Sequence, residues 1–320
     1  MVDELDIKIL QKFDENIRMG SKQIAKELGV RRQVVDYRIK RMEKTGMIIN
    51  YRMLGNMNKL GFPYYHRICI KLHSIPAKEK KQIYAYLIKH KLILWVIETD
   101  GKYDLSYVLV AKDPYEFQDM LFEFVNTYSK QIKYYDFVRV LELMVPTRDF
   151  VGTKHIRKIK GAVVEKAEPI KITELDKNII NELAHNGRQT ALTIAKKIGV
   201  SAEVTNYHIK QIMKKGLLFS NIQFGYPILD FELYKTLLYV KNPIRSRIED
   251  FKGFARSYPR VWDLIETQGK WQLELDIEAK SHVDYYKIME VIHEKFFDII
   301  SAHDTLYIYK ERKFLFSMFS

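Results

Sequence analysis

The segment IAKELGVRRQVVDYRIKRMEKTG, residues 24–46, returns without a gap as IAKKIGVSAEVTNYHIKQIMKKG, residues 194–216. A second pair, IETDGKYDL at 97–105 and IETQGKWQL at 265–273, keeps nearly the same separation, 168 positions against 170. The chain is a collinear duplication of a two-part unit. No other feature limits the fold as much, because any surface one half leaves uncovered has a related surface always at hand. At 320 residues, more than one domain is expected in any case.

The first part of each unit is helical. Ile7, Leu10 and Phe13 space one apolar face, and Ile24, Ala25 and Leu28 space a second. Gly29 supplies a left-handed stop. A third helix runs from about Arg31 to Lys44, ends at Gly46, and is followed by Met47-Ile48-Ile49 as a strand. Helix, helix, tight turn, helix, strand is the order of a winged helix-turn-helix. In the second part the period changes. Residues 64–73 read as a strand, 77–90 as an amphipathic helix, and two strands flank the Gly101-Lys102 turn before helix 115–128 and strand 132–143. This βαββαβ order is ferredoxin-like. It repeats as strand 232–241, helix 245–257, a hairpin about Gly269, helix 282–297 and strand 302–311.

The expected class is α+β, with helix-turn-helix units at 1–58 and 172–228 and ferredoxin-like units at 59–146 and 229–320. Between them, 147–171 holds a basic cluster (Lys154, Arg157, Lys158, Lys160) without periodicity. It reads as a linker that could span up to roughly 80 Å when extended.

Lysine and arginine outnumber aspartate and glutamate by 53 to 40, a formal net charge of +13, which favours a polyanionic partner. No run of about eighteen apolar residues exists, so no membrane span is expected. The N-terminus, MVDELDIKILQKF, lacks the basic and apolar regions of a signal peptide, and a cytoplasmic, nucleoid-associated location is the expectation. The single cysteine, Cys69, excludes an internal disulfide and reads as a buried, inert thiol.

Residues 5–51, LDIKILQKF through MIINY, resemble the winged helix-turn-helix of the Lrp/AsnC (feast/famine) transcription regulators. The following βαββαβ part, with its TDGKYDL hairpin, is similar to that family's effector and dimerisation domain. The likeness covers 5–145 and, more loosely, 172–312. Family members carry one unit per chain and pair through the sheets of their C-terminal domains. The resemblance therefore implies that the two ferredoxin-like units pair within this chain as a pseudo-dimer, with self-association between chains as the competing arrangement.

Double-stranded DNA is the expected partner. In 31–44, six basic residues stand against two acids. Val35, Ile39 and Met42 form the inner side, while Gln33, Asp36, Tyr37, Lys40, Arg41 and Lys44 point the other way, with Arg31, Arg32 and Arg38 adding charge. Such a face suits the major groove, where arginine reads guanine and lysine holds phosphate. In the second copy these positions become Ser201, Ala202, Glu203, Asn206 and Gln211, with His208 for Arg38, while Tyr207, Lys210 and Lys214 are kept. Arg41 is expected to read bases and Lys210 to hold phosphate. Two working helices with different preferences, at an asymmetric site, is the favoured reading; one reader with a structural second copy is the other.

By the same resemblance, Gly101, Tyr103 and Asp104, and in copy two Gly269, Trp271 and Gln272, lie where an amino-acid-like effector would bind. Equally, Gly-Lys can be a plain turn and Tyr or Trp plain core. No cofactor, metal or catalytic residue is expected. The nine histidines form no i, i+4 pair, and His282 and His293 read as surface residues, which tells against an enzyme such as the sirohaem decarboxylases, built from paired units of the same type. An RNA-binding module lacks its motifs here; a low-specificity architectural DNA-binding protein remains a near neighbour of the main reading.

Overall fold

The computed structural model describes residues 2–148 and 158–319, so Lys154 and Arg157 lie outside the described residues. The first unit contains α1 (Glu4–Glu15), α2 (Ser21–Leu28), α3 (Arg32–Lys44) and β1 (Ile48–Gly55). Next come β2 (Tyr64–Leu72), α4 (Ala77–Lys89), β3 (Ile93–Gly101), β4 (Leu105–Ala111), α5 (Pro114–Thr127) and β5 (Ile132–Pro146). The connecting segment contributes β6 (Ile159–Val164). The second unit repeats the order as α6 (Glu174–His185), α7 (Ala191–Ile198), α8 (Ala202–Lys214), β7 (Leu218–Phe224), β8 (Glu232–Val240), α9 (Arg245–Ser257), β9 (Val261–Gly269), β10 (Leu273–Ala279), α10 (His282–Phe296) and β11 (Ile300–Phe314).

The two four-stranded halves join at both edges. The strand order is β2-β4-β3-β11-β8-β10-β9-β5, and β5 returns to pair with β2. An eight-stranded closed barrel results, with α4, α5, α9 and α10 packed outside. Closure removes the free strand edges that would otherwise template aggregation. The seams are β3 on β11 and β9 on β5. Each requires a hairpin glycine: a Cβ on Gly101 would lie 2.5 Å from the Thr305 carbonyl oxygen, and Gly269 is also at positive φ against Phe137 and Val138. Cys69, Tyr103, Val138, Leu237, Trp271 and Leu306 from both halves fill part of the interior. Cys69 is fully buried, and burial pushes its thiol up to about 12.

The barrel also encloses charge, which periodicity alone did not reveal. Arg67 on β2 reaches Glu274 on β10 at 2.7 Å, across the barrel rather than along a ladder. Lys235 contacts Glu274 at 3.3 Å and Asp276 at 2.5 Å. All four are nearly inaccessible. The sequence signal was LELDIEA, where acids alternate with apolar residues on one strand while the first copy has LSYVLVA.

Two departures concern the connections. The supposed linker is partly a strand: β6 pairs with β5 from Leu143 to Pro146, Ala162, Val163 and Val164 are buried, and Lys160 forms a buried ion pair with Asp14 at 2.7 Å. Three consecutive small apolar residues and a paired lysine give this segment enough burial to dock. The wing differs too. β1 extends to Gly55, and its partner is β7 of the other copy, so the two helix-turn-helix units share one two-stranded sheet.

Two outcomes follow from the buried charges. Lys235→Met strands Asp276 and is expected to cost about 3–5 kcal/mol in denaturant unfolding. Asp263 lies directly opposite Asp276 on the neighbouring strand. Burial, with the Asp276 carboxylate adding to it, raises its carboxyl to about 7. The folded state then keeps a proton that the unfolded chain releases near pH 4, so stability falls as pH rises from about 4 to about 7 and levels off above. Asp263→Asn should flatten that slope, as read by melting temperatures across the range.

Candidate nucleic-acid interface

Each recognition helix is placed by the helix before it. Gly29 and Gly199, at φ 67° and 74°, end α2 and α7 in the left-handed conformation and turn the chain into α3 and α8. Val35, Ile39 and Met42 anchor α3, and Thr205, Ile209 and Ile212 anchor α8. Tyr37 is 66% exposed and Tyr207 60%. Around them Arg31, Arg32, Gln33, Lys40 and Lys44 are exposed about α3, as are Ser201, Glu203, Asn206, Lys210 and Lys214 about α8. Asp36 is half-buried and paired with Arg32 at 3.3 Å. Ser201 caps α8 through the Val204 N–H at 3.2 Å, whereas α3 begins at Arg31 without a side-chain cap.

Arg38 and Arg41 do not belong to the outward face. Arg38 donates to Asp3 at 2.6 Å and to Asp6 at 2.9 Å, and Arg41 pairs with Asp6, which is fully buried. The hydrogen bond from Arg38 holds the Asp3 carboxyl below its usual range. These carboxylates form the capping box that starts α1, so the arginines fasten α3 to α1. In copy two the box is Thr173 and Asp176, and His208 meets Asp176 at 2.7 Å. Gln211 is half-buried. One carboxylate replaces two, and the two arginines give way to a histidine and a glutamine. The exchange from Asp3-Glu4-Leu5-Asp6 to Thr173-Glu174-Leu175-Asp176 was the readable signal.

The two units are held face to face. Arg18 donates to the carbonyls of Gly187 and Gln189 at 2.5 and 3.0 Å. Arg188, its counterpart, donates to Ile17 and Met19 at 2.6 and 3.3 Å. Arg188 also lies 4.6 Å over Phe13 and 4.9 Å over Tyr51. With α1 against β7 and α6 against β1, the exchange defines a pseudo-two-fold axis between the recognition helices.

The hairpin residues are committed elsewhere. Tyr103 and Trp271 are fully buried; Tyr103 donates to Asp136 at 2.7 Å and Trp271 to Glu274 at 2.9 Å. Asp104 accepts from Lys71 and the Leu72 N–H, and Gln272 from the Val240 N–H. Gly101 and Gly269 sit on the barrel seams, so this geometry joins sheets. His282 is exposed, but His293 is half-buried and bonded to His303 at 3.0 Å. Among the described residues, no three His, Cys, Asp or Glu side chains form a metal-binding group, and no helix is long and apolar enough to cross a membrane.

Residues 2–43 match the AsnC-type helix-turn-helix domain, and 172–218 match a winged helix-turn-helix DNA-binding family. An uncharacterized HTH-type transcriptional regulator of Pyrococcus abyssi is 31% identical over 112 residues, 35% of this chain and 73% of that one. The HTH-type transcriptional regulator Ptr1 of Methanocaldococcus jannaschii is 29% identical over 113 residues, 35% of this chain and 74% of its own. In structure, the siroheme decarboxylase NirDL is similar over 97% of this chain and 92% of its own, at 15% identity and a TM-score of 0.63, a likeness of fold. These features define a DNA-binding helix-turn-helix protein. The chain belongs to the Lrp/AsnC family of transcription regulators, with two units in its 320 residues.

Arg41→Ala should lower stability while leaving base preference in place, because its guanidinium is spent on Asp6. Gln33→Ala should do the reverse. Thermal melting and binding to a base-substitution series separate the two, and a changed preference in Arg41→Ala would contradict the assignment.

Proposed function

We propose that the protein regulates transcription by reading duplex DNA with two unlike recognition helices held as one rigid pair, at an asymmetric site. The observation that carries this reading is the reciprocal Arg18–Arg188 exchange together with the shared β1–β7 sheet. A fixed pair must engage two half-sites at once, and the exposed faces differ. Copy one offers Arg31, Arg32 and Gln33, suited to phosphate, guanine and adenine; copy two offers Ser201, Glu203 and Asn206, suited to cytosine and adenine. Tyr37 with Lys40 and Lys44, and Tyr207 with Lys210 and Lys214, are common to both and serve phosphate or general contacts. A shared fold does not transfer a reaction, so the likeness to the decarboxylase supports the two-unit architecture and nothing about chemistry.

Selection of binding sites from random DNA tests this. Two different half-sites at fixed spacing are expected; a perfect inverted repeat refutes the unlike helices, and variable spacing refutes the rigid pair. Lys210→Ala should weaken all sequences alike and reduce the slope of log affinity against log salt by about 1.

A further inference from the structure

A cleft of about 270 Å³ opens where β7 and the turn after it meet β11. Trp95, Phe224, Tyr226, Phe231, Tyr307 and Tyr309 line it. Two of the hydroxyls are engaged elsewhere: Tyr226 accepts from Arg148 at 2.8 Å and Tyr309 donates to Glu98 at 2.6 Å. What the walls offer is mainly ring surface.

The polar side chains in the lining are mostly acceptors. Glu311 receives Arg52, Trp95 and the Gln223 amide nitrogen, at 3.1, 3.0 and 2.5 Å. That last bond fixes the orientation of the Gln223 amide and leaves its Oε1 buried without a partner. The Glu232 and Glu311 carboxylates line the cleft, so a bound N–H finds an acceptor there. An anionic ligand would instead meet Glu232 and Glu311 against one exposed lysine, Lys310.

Among the described residues, the equivalent position in the other half is covered. Glu311–Phe314 of β11 corresponds to Leu143–Pro146 of β5, and there β6 pairs with the strand and lays Gly161 against Phe219. Phe219 is the counterpart of Ile49, which borders the cleft and is exposed. The connecting segment thus covers one of two equivalent positions.

We propose that this cleft binds a small planar aromatic molecule, of one or two fused rings, that carries an N–H donor and no negative charge. An apolar cavity of about 150 Å³ holds benzene, so this one has room for about two fused rings. The site lies away from the hairpins and does not depend on DNA, so it is tested on the free protein.

Calorimetric titration of the full chain with indole, tryptamine and 2-naphthoate reads it directly. Indole and tryptamine should each bind once, with 2-naphthoate at least about tenfold weaker. Glu232→Gln removes one of the two lining carboxylates at nearly the same volume and should weaken tryptamine by about tenfold. Ile49→Trp, at an exposed position on the rim, should block both ligands even if Glu232→Gln fails to fold. No binding of indole or tryptamine at millimolar concentration, equal binding of 2-naphthoate, or unchanged binding in Ile49→Trp would each overturn the assignment.

Discussion

A four-stranded βαββαβ sheet with helices on one face leaves its other face and its edges bare. In this chain the second copy covers all of them at once. Edge meets edge at β3–β11 and β5–β9, and the bare faces become the inside of a barrel. Because the interior is sealed, any charge within it needs a partner there. Arg67 and Lys235 come from equivalent strands of the two halves, and both meet the acids of β10, which have no equivalent on β4. Duplication followed by divergence let one half carry the acids, an option closed to two identical chains related by symmetry.

Barrel closure also governs the helix-turn-helix units. Both wings leave the barrel on the same side and pair with each other, and the Arg18 and Arg188 side chains cross to the partner unit's carbonyls. Reading DNA then becomes a property of the pair. Within each unit, the carboxylates that start the first helix decide which basic residues of the recognition helix are held inward. The arginines at 38 and 41 vanish from copy two along with a carboxylate, while Tyr37, Lys40 and Lys44 return as Tyr207, Lys210 and Lys214. The part of the surface that differs is therefore narrower than the substitutions suggest. It lies at 31–33 and 36 about α3 and at 201–203 and 206 about α8.

Much of this was legible in the sequence, because repeats and hydrophobic period report local structure. Helices such as 245–257 and the order of strands follow from spacing, and the glycines of the two hairpins mark their turns. Pairing of the two ferredoxin-like units followed from the family resemblance, but the particular contacts between the halves were not legible. Nothing in IKGAVV says that it will pair with β5, and nothing in IINYRMLG says that its partner is 170 residues away. Helical periodicity put Arg41 outward because it sees one helix at a time; the carboxylate that turns it inward lies 35 residues earlier. Tyr103 and Trp271 illustrate the same limit, since only the closed barrel makes their positions interior.

The central claim is that the fixed pair of helices differs in what it reads because of residues at the helix starts. Giving α8 the face of α3 tests it: Ser201→Arg, Ala202→Arg, Glu203→Gln and Asn206→Asp in one chain. The lost Ser201 cap costs about 1 kcal/mol, and α3 itself forms without one. Binding-site selection with this variant should yield an inverted repeat of the first half-site at unchanged spacing. Recovery of the same asymmetric site as the natural chain would contradict the account.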